Sequence, residues 1–582
     1  MRFLLVAVNS KYIHSNPAIY SLRAYAQTEG IPENGEVVLA QYTINEQVED
    51  ILHRIYEEKP DVIGFSCYIW NIRYVRLLVE DLAEVLPQVP VWLGGPEVSY
   101  CADEILQTMP GVTGVMIGEG EKTFSKLLGY YCGRGNMEGI EGIAYRKGQT
   151  VVYTAPVQPL KLSDVPFLYH DLDGFSNQII YYESSRGCPY RCSYCLSSIE
   201  KQVRFRDLKL VYEELDFFLQ NRVKQVKFID RTFNIKPDRS LAIWRYLIEH
   251  DNGITNFHFE LSADLLTEAE FQIFQQMRPG LIQLEIGVQT TNPKTMEAIR
   301  RYASFEKISR AVKRIRETGR IHQHLDLIAG LPYEGYESFG RSFDDVYRLR
   351  PDQLQLGFLK VLKGSYLYEK AEAYGIVYSK RPPYEVLFTR WLSFEDILQL
   401  KAVESVVETY YNSGQFSTSI AYLETFFDRP FLLYEALGAF CSRGNYAYQA
   451  HSRMRQYEQL LLFAEEIPGI DRAVLISGLV HDCYLRENCK SRPSFALEQG
   501  MPGKDAARVF YQEEAQRPVY LTGYQGYNSR QMANMTHLEC YPVDVLQLRQ
   551  GRLVCRPVTV LYDYLRRDGF SHDGTALEVH LI

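Results

Sequence analysis

Three thiols fall within eight residues in the run Arg186-Gly187-Cys188-Pro189-Tyr190-Arg191-Cys192-Ser193-Tyr194-Cys195. A Cys-x3-Cys-x2-Cys spacing is too tight for cysteines scattered through a core. A loop of that length can wrap three thiolates around one face of a 4Fe-4S cube, and with no fourth cysteine nearby one iron keeps an open position. An open iron can chelate the amino and carboxylate groups of S-adenosylmethionine. An electron passed from the cluster into the sulfonium then breaks a carbon-sulfur bond and makes a radical. Zinc, or three unrelated buried thiols, is the plainer alternative, but zinc asks for four ligands, commonly as two pairs, and no partner pair accompanies these three.

The elements around this loop follow from hydrophobic periodicity. Before it, apolar runs at 3–8, 37–39, 62–66, 91–93 and 115–117 alternate with amphipathic stretches at 18–27, 48–57 and 75–86. This is the alternation of a doubly wound parallel sheet, whose ligands sit outside the carboxyl ends of the strands. The segments expected there are 9–16, 66–71, Gly94-Gly95-Pro96-Glu97 and Gly118-Glu119-Gly120-Glu121. A linker punctuated by Gly142, Gly148, Pro156, Pro159 and Pro166 follows. Strands are then expected at 179–184, 225–230, 257–262, 281–287, 324–328 and 353–359, with helices such as 208–219, 241–250 and 305–318 between them. That pattern is a partial (β/α)6 barrel of the TIM type. Beyond about 375 the periodicity turns mostly helical, at 394–411, 420–427, 431–441 and 448–465, and 553–565 reads as a strand running into a helix. The division expected is 1–135, a linker 136–174, a barrel 175–375 and a mostly helical domain 376–582.

Bulk properties set limits. A chain of 582 residues with 46% hydrophobic and 23% charged residues is globular and needs more than one domain. A net charge of −9 supplies no general attraction for nucleic acid, so no clear nucleic-acid signal is present. No segment has the roughly 18 apolar residues that span a bilayer. The start of the chain lacks the pattern of an export signal, and eleven cysteines then read as reduced thiols or metal ligands in the cytoplasm.

Residues 179 to about 362 resemble the radical S-adenosylmethionine (SAM) superfamily. Besides the three cysteines, Tyr194 stands at the aromatic position whose backbone contacts adenine in that superfamily. Asp230-Arg231-Thr232-Phe233 resembles its Asp-x-x-Phe segment, Glu285-Ile286-Gly287-Val288-Gln289 its Glu-x-Gly-x-Gln segment, and Gly330-Leu331-Pro332 its Gly-Leu-Pro turn. The resemblance implies SAM contacts from Tyr194, Asp230, Glu260, Glu285 and Gln289, with Glu260 and Gln289 toward the ribose or methionine portion. A doubly wound domain before such a barrel resembles the cobalamin-binding class of the superfamily. That class implies cobalamin contacts from His14, Tyr68, Trp70, Asn71, Gly94, Gly95, Glu97, Gly118, Glu119 and Gly120. The chain departs from the Asp-x-His-x-x-Gly signature that places an imidazole on cobalt. His14 is the one histidine near that position, and a loop histidine bonding locally is the favoured reading of it.

The resemblance implies a cobalamin-dependent radical enzyme fed by an electron donor such as flavodoxin or ferredoxin, with methyl transfer to an unactivated centre as the leading reaction. A non-methylating rearrangement, cyclisation or reduction, and a non-catalytic cobalamin or iron-sulfur sensor, stand as alternatives. A methylthio-transferring enzyme would carry a second cluster, for which Cys67, Cys101 and Cys132 are too dispersed. No catalytic acid, base or nucleophile is named by the sequence. His481-Asp482-Cys483 with Cys489 reads as packing rather than as a metal site.

Overall fold

The computed structural model describes residues 1–444, 452–489, 491–496, 500, 502–568 and 573–581. Five parallel strands open the chain: β1 (Arg2–Asn9), β2 (Glu36–Thr43), β3 (Val62–Ser66), β4 (Val91–Gly94) and β5 (Gly114–Met116). They lie in the order β2-β1-β3-β4-β5. Helices cover both faces, so β1 is buried along nearly its whole length and its sequence is almost continuously apolar. Separate apolar clusters fill the two sides, one around Leu4, Ile63 and Val115, the other around Phe3, Trp92 and Phe124. The turn-rich segment expected as a linker adds β6 (Ile143–Lys147) and β7 (Thr150–Tyr153), an antiparallel hairpin paired on β5.

The second sheet is built from β8 (Ile180–Tyr182), and a two-residue ladder, β9 (Ser185–Arg186) with β10 (Arg204–Phe205), brackets the cysteine loop. The sheet continues through β11 (Gln225–Phe228), β12 (Asn256–Leu261), β13 (Ile282–Gln289), β14 (His322–Ala329) and β15 (Gln353–Phe358). All six strands are parallel and lie in the order β8-β11-β12-β13-β14-β15, an open six-stranded barrel wall. Helices Leu208–Gln220, Pro237–Glu249, Phe305–Glu317 and Tyr336–Tyr347 pack outside it. The Glu-x-Gly-x-Gln segment forms the second half of β13, which runs two residues beyond the strand expected at 281–287.

A small hairpin, β16 (Val377–Tyr378) with β17 (Val386–Phe388), leads to a helical region. Helix Phe394–Val407 begins at a capping box in which Ser393 and Asp396 satisfy each other's backbone donors. Helix Pro430–Arg443 lays Phe431 and Tyr434 against Phe343 on the barrel's last helix, so barrel and C-terminal region share one apolar core. Of the helix expected over 448–465, Arg453–Glu465 is helical, and 448–451 lie outside the described residues. The helix expected to close 553–565 is absent. The segment instead supplies β19 (Val558–Asp563), the middle of an antiparallel sheet with β18 (Thr536–Tyr541) and β20 (Thr575–Val579). The alternating Val-Thr-Val-Leu-Tyr-Asp pattern of β19 finds partners on both sides, and pairing over the whole strand outweighs the helical tendency of Leu561 to Leu565.

His481, on helix Arg472–Arg486, is fully buried with Nδ1 2.6 Å from the hydroxyl of Tyr562. Burial, with Arg549 nearby, pushes its pKa down to about 3. Below pH 6.5 the unfolded chain therefore binds a proton that the folded chain refuses, so stability present above pH 6.5 is lost as pH falls. The adjacent Asp482, raised by burial to about 6, acts in the opposite sense but is common to wild type and variant. Between pH 7 and pH 5, wild type should lose about 2 kcal/mol more than H481Q, following the linkage slope of about 1.4 kcal/mol per pH unit. Thermal melts of both proteins across that range test this, and parallel pH profiles would refute it.

Candidate cofactor site at the domain junction

A cavity of about 450 Å³ opens where the carboxyl ends of β1, β3, β4 and β5 face the start of the barrel. Its floor is apolar, from Leu5, Phe65 and Met116, and Gly94, Gly95, Gly118 and Gly120 form part of its wall. Gly95 has a φ of +111°, and a Cβ there would stand 2.5 Å from the Cys67 carbonyl, so no other residue fits this turn. The far wall comes from Leu162 to Tyr169 and from Tyr181, Tyr182, Glu183 and Arg186 of the barrel's first strand and its exit.

Buried charge locks that wall in place. Arg186 bonds Glu121 at 2.8 Å and Glu183 at 2.8 and 2.9 Å, and lies 3.4 Å from Glu119. Glu119 also pairs with Arg204 on the strand that closes the cysteine loop. Burial would raise the Glu121 carboxyl, but Arg186 outweighs it and holds the carboxyl below its usual range. Further in, Arg206 pairs with Glu214 and donates to the carbonyls of Leu162 and Val165, at 2.7 Å each, which anchors the connecting segment.

The cysteine loop hangs from this fixed point. Asp230, fully buried, accepts from the Ser184 amide at 2.8 Å and from the Ser184 and Ser185 hydroxyls at 2.7 and 2.6 Å. Its carboxylate thus holds the end of β8. Within the loop, the Ser193 amide donates to the Ile299 carbonyl and the Ser193 carbonyl accepts from Leu367. Cys188 and Cys192 are buried and Cys195 partly so. Burial, and then the neighbouring Cys195 and Cys192, raise the Cys188 thiol. Arg301 reaches in with one guanidinium nitrogen 3.8 Å from the Cys192 sulfur and another on the Gly287 carbonyl. Among the described residues no three Cys, His, Asp or Glu side chains converge on a single-ion site. A cube takes one thiolate per iron, so its ligands stand around the cluster instead of meeting at one point, and three thiols beside a fixed cation suit that demand.

Inside the barrel wall, the pleat sends alternate residues into the lumen. By register Lys227 sits beside His258, Glu260 beside Glu285, Glu285 beside His324, and Gly287 beside Asp326. Glu285 lies 2.9 Å from both Lys227 and His258. Burial pushes its carboxyl up, but His258 and Lys227 outweigh that and hold it well below the usual range. Asp326 goes the other way, raised by burial and then by Glu285 and Glu260. Glu260 is likewise raised by burial. Gln289 has a φ of +72° and folds its amide back over Gly287, where a Cβ would stand 2.3 Å from its nitrogen. The Gln289 side-chain carbonyl oxygen is buried without a hydrogen-bond partner, the condition of a wall awaiting a polar ligand, and Asp326 Oδ1 lies 3.2 Å from His324 Nε2.

Residues 4–128 match the B12 binding domain family, and residues 182–346 match the Radical SAM superfamily. The chain carries a B12-binding domain joined to a radical SAM domain. Residues 372–562 match a protein family of unknown function, DUF4080. Among relatives, the cobalamin-dependent radical SAM methyltransferase TokK of Streptomyces tokunonensis is 27% identical over 399 residues, covering 62% of this chain and 56% of that protein. The 2-(S-pantetheinyl)-carbapenam-3-carboxylate methyltransferase of Streptantibioticus cattleyicolor is 27% identical over 299 residues, covering 48% and 44%. The chain thus spans about half the length of these two curated relatives. The solved structure of the cobalamin-dependent SAM radical enzyme OxsB, with aqua-cobalamin and SAM bound, has a TM-score of 0.60 at 13% identity, over 83% of this chain and 80% of that one. The radical SAM methyltransferase TsrM of Kitasatospora setae, with tryptophan and a SAM analogue bound, has a TM-score of 0.54 at 18% identity, over 65% and 77%. Both likenesses are of fold.

Set against this architecture, the residues singled out in sequence separate into groups. Tyr68, Gly94, Gly95, Gly118, Glu119 and Gly120 line the cavity of the B12-binding domain. His14, Trp70, Asn71 and Glu97 lie outside its lining. His14 Nδ1 is 2.6 Å from the Tyr181 hydroxyl, tying its loop to β8. Trp70 stacks on Tyr68 at 4.4 Å between ring centres. Asn71 uses its whole amide internally, donating to the carbonyls of Val8 and Ser66 and accepting from Tyr68. Glu97 meets the hydroxyl of Tyr384 beyond the barrel. In the radical SAM domain Glu260, Glu285 and Gln289 face the lumen and Tyr194 packs beside Cys192 and Arg301. Glu121, Arg186, Arg301 and Asp326 were missed as functional side chains. Glu121 and Arg186 fall inside segments quoted above, and the alternating polar residues of β12 (Asn256, His258, Glu260), β13 (Gln283, Glu285, Gln289) and β14 (His322, His324, Asp326) are a periodic signal for a polar lumen.

Removing the Arg186 charge strands Glu121 in the interior. R186M should cost about 3–5 kcal/mol, the usual range for breaking a buried pair, and E121Q added to it should restore more than half. Denaturant melts of the two single variants and the double variant check this, and additive effects would contradict the coupling.

Proposed function

We propose that this chain is a cobalamin-dependent radical SAM enzyme, with methyl transfer to an unactivated centre as its reaction. One observation carries the reading: the glycine-walled cavity of the B12-binding domain and the three-cysteine loop share the same short segment, 181–186, as their common border. Cys188, Cys192 and Cys195 would hold a 4Fe-4S cluster, Tyr194, Glu260, Glu285 and Gln289 would receive SAM, and Tyr68 with the glycines of the cavity would receive cobalamin. When bound, these groups supply an electron to cleave the sulfonium and a methyl group to transfer.

The chain's own residues prepare that site. Arg301 places positive charge 3.8 Å from the Cys192 sulfur. Glu285, ionised by Lys227 and His258, accepts hydrogen bonds, whereas Asp326, raised well above the usual carboxylate range, is suited to donate one. Asp230 positions the loop by gripping the end of β8 and needs no ligand contact to do so. The lining of the cavity includes no histidine, which supports cobalamin held by shape rather than by an imidazole from its wall. Among the described residues no helix is long and apolar enough to cross a membrane. The reading places the enzyme in the cytoplasm with a flavodoxin or ferredoxin as reductant.

A second reading, non-methylating radical chemistry, has its own support. The anaerobic magnesium-protoporphyrin IX monomethyl ester cyclase of Synechocystis is 26% identical over 285 residues, covering 46% of this chain and 56% of that protein.

Anaerobic reconstitution with iron, sulfide and cobalamin, followed by reduction with SAM labelled at its methyl group, separates the readings. Label on cobalamin or on an added substrate, with 5′-deoxyadenosine formed, is the expected result. Label confined to methionine would move the assignment to the second reading. C188A, C192A and C195A should each lose the cluster's visible absorbance and lower SAM cleavage at least a hundredfold, whereas a full complement of cluster in any of them would overturn the site.

A further inference from the structure

The His-Asp-Cys run in the C-terminal region separates into two arrangements. His481 and Asp482 serve the fold: His481 bonds Tyr562, and Asp482 accepts from the Thr418 and Ser419 amides at the start of helix Ser417–Leu423. Cys483 does something else. It lies in the last turns of helix Arg472–Arg486 and is 1% exposed. The chain leaves the helix at Glu487, whose φ of −135° is no longer helical, and turns so that the Cys489 sulfur comes to 3.6 Å from the Cys483 sulfur. Cys489 is only partly buried, so one thiol of the pair meets solvent and the other is covered. The helix exit is clasped by Tyr564, whose hydroxyl donates to the Tyr484 carbonyl at 2.5 Å and lies 3.2 Å from the Glu487 carbonyl. Among the described residues no third metal-ligating group joins the pair, so a metal site does not account for it.

We propose that Cys483 and Cys489 form a redox-active dithiol that exchanges with small disulfides, Cys489 attacking and Cys483 resolving. Cys489, as thiolate, attacks one sulfur of a disulfide such as oxidised glutathione, forming a mixed disulfide and expelling one glutathione thiolate. Cys483, deprotonated, then attacks the Cys489 sulfur, closing the internal disulfide and releasing the second glutathione. Two protein thiols are oxidised, one disulfide is reduced to two thiols, and the protons pass to the leaving thiolates. The electrostatics agree with the order of events. The hydrogen bond from Cys483, and Arg453 nearby, bring the Cys489 thiol down to about 7 despite partial burial, while Cys483 is pushed far up. A thiol titrating near neutrality is close to the optimum for attack.

The test uses the full-length protein with its cluster, kept anaerobic and treated with oxidised glutathione, then alkylated and mapped by peptide mass spectrometry. The expected product is a peptide linked through 483 and 489, reversed by dithiothreitol. In C483S the mixed glutathione disulfide on Cys489 should persist, and in C489S the modification of Cys483 should fall at least tenfold. Free, alkylatable Cys483 and Cys489 in treated wild type would overturn the proposal, as would a stable glutathione adduct on wild-type Cys489. Unchanged cluster absorbance in both variants would show that they fold.

Discussion

The exit of the first barrel strand is the point from which the rest of the site is built. Three residues there are held from opposite sides: Ser184 and Ser185 by the buried carboxylate of Asp230, and Arg186 by Glu121 and Glu183. One grip comes from within the barrel and the other partly from the B12-binding domain. The cysteine loop begins two residues later, so its thiols inherit a position fixed relative to both domains at once. Buried polar groups impose this because none of them can be left unpaired without a cost of several kcal/mol. The charges therefore specify one domain arrangement, where apolar contact alone would tolerate sliding.

The same low-dielectric logic divides the lumen. Neighbouring carboxylates in one barrel wall push one another's pKa values up. Lys227 and His258 favour ionised Glu285, while burial raises Glu260 and raises Asp326 well above its usual range. One wall thus offers both hydrogen-bond acceptors and donors. Gly287 contributes by absence, since any side chain would displace the Gln289 amide folded across it.

The C-terminal region is joined to the barrel as continuation rather than appendage. Phe431, Tyr434 and Tyr347 close a shared aromatic core, and the Phe431 amide donates to the buried Asp344 carboxylate of the barrel's last helix. Its small antiparallel sheet in turn holds the helix that carries His481 and Cys483, through Tyr562 and Tyr564. Disturbance at that helix would be felt through a core that the radical SAM domain also uses.

Residue type and spacing determined much of this by themselves. Period-two and helical patterns place the strands of both parallel sheets, because fully buried strands between covering helices have no alternative to apolar runs. The Cys-x3-Cys-x2-Cys loop is equally legible, because its chemistry depends on thiols a few residues apart. Tertiary structure alone decided matters that rest on long-range pairing. Glu121 and Arg186 are 65 residues apart, and Cys192 and Arg301 109 apart, and neither spacing has a periodicity that announces contact. Asn71 and Glu97, placed by their strand ends beside a ligand, turn out to bond within the protein. β19 became the middle of a sheet because β18 and β20 were there to pair with it. Local sequence sets which groups are available, while burial and pairing across the fold decide which of them remain free to act.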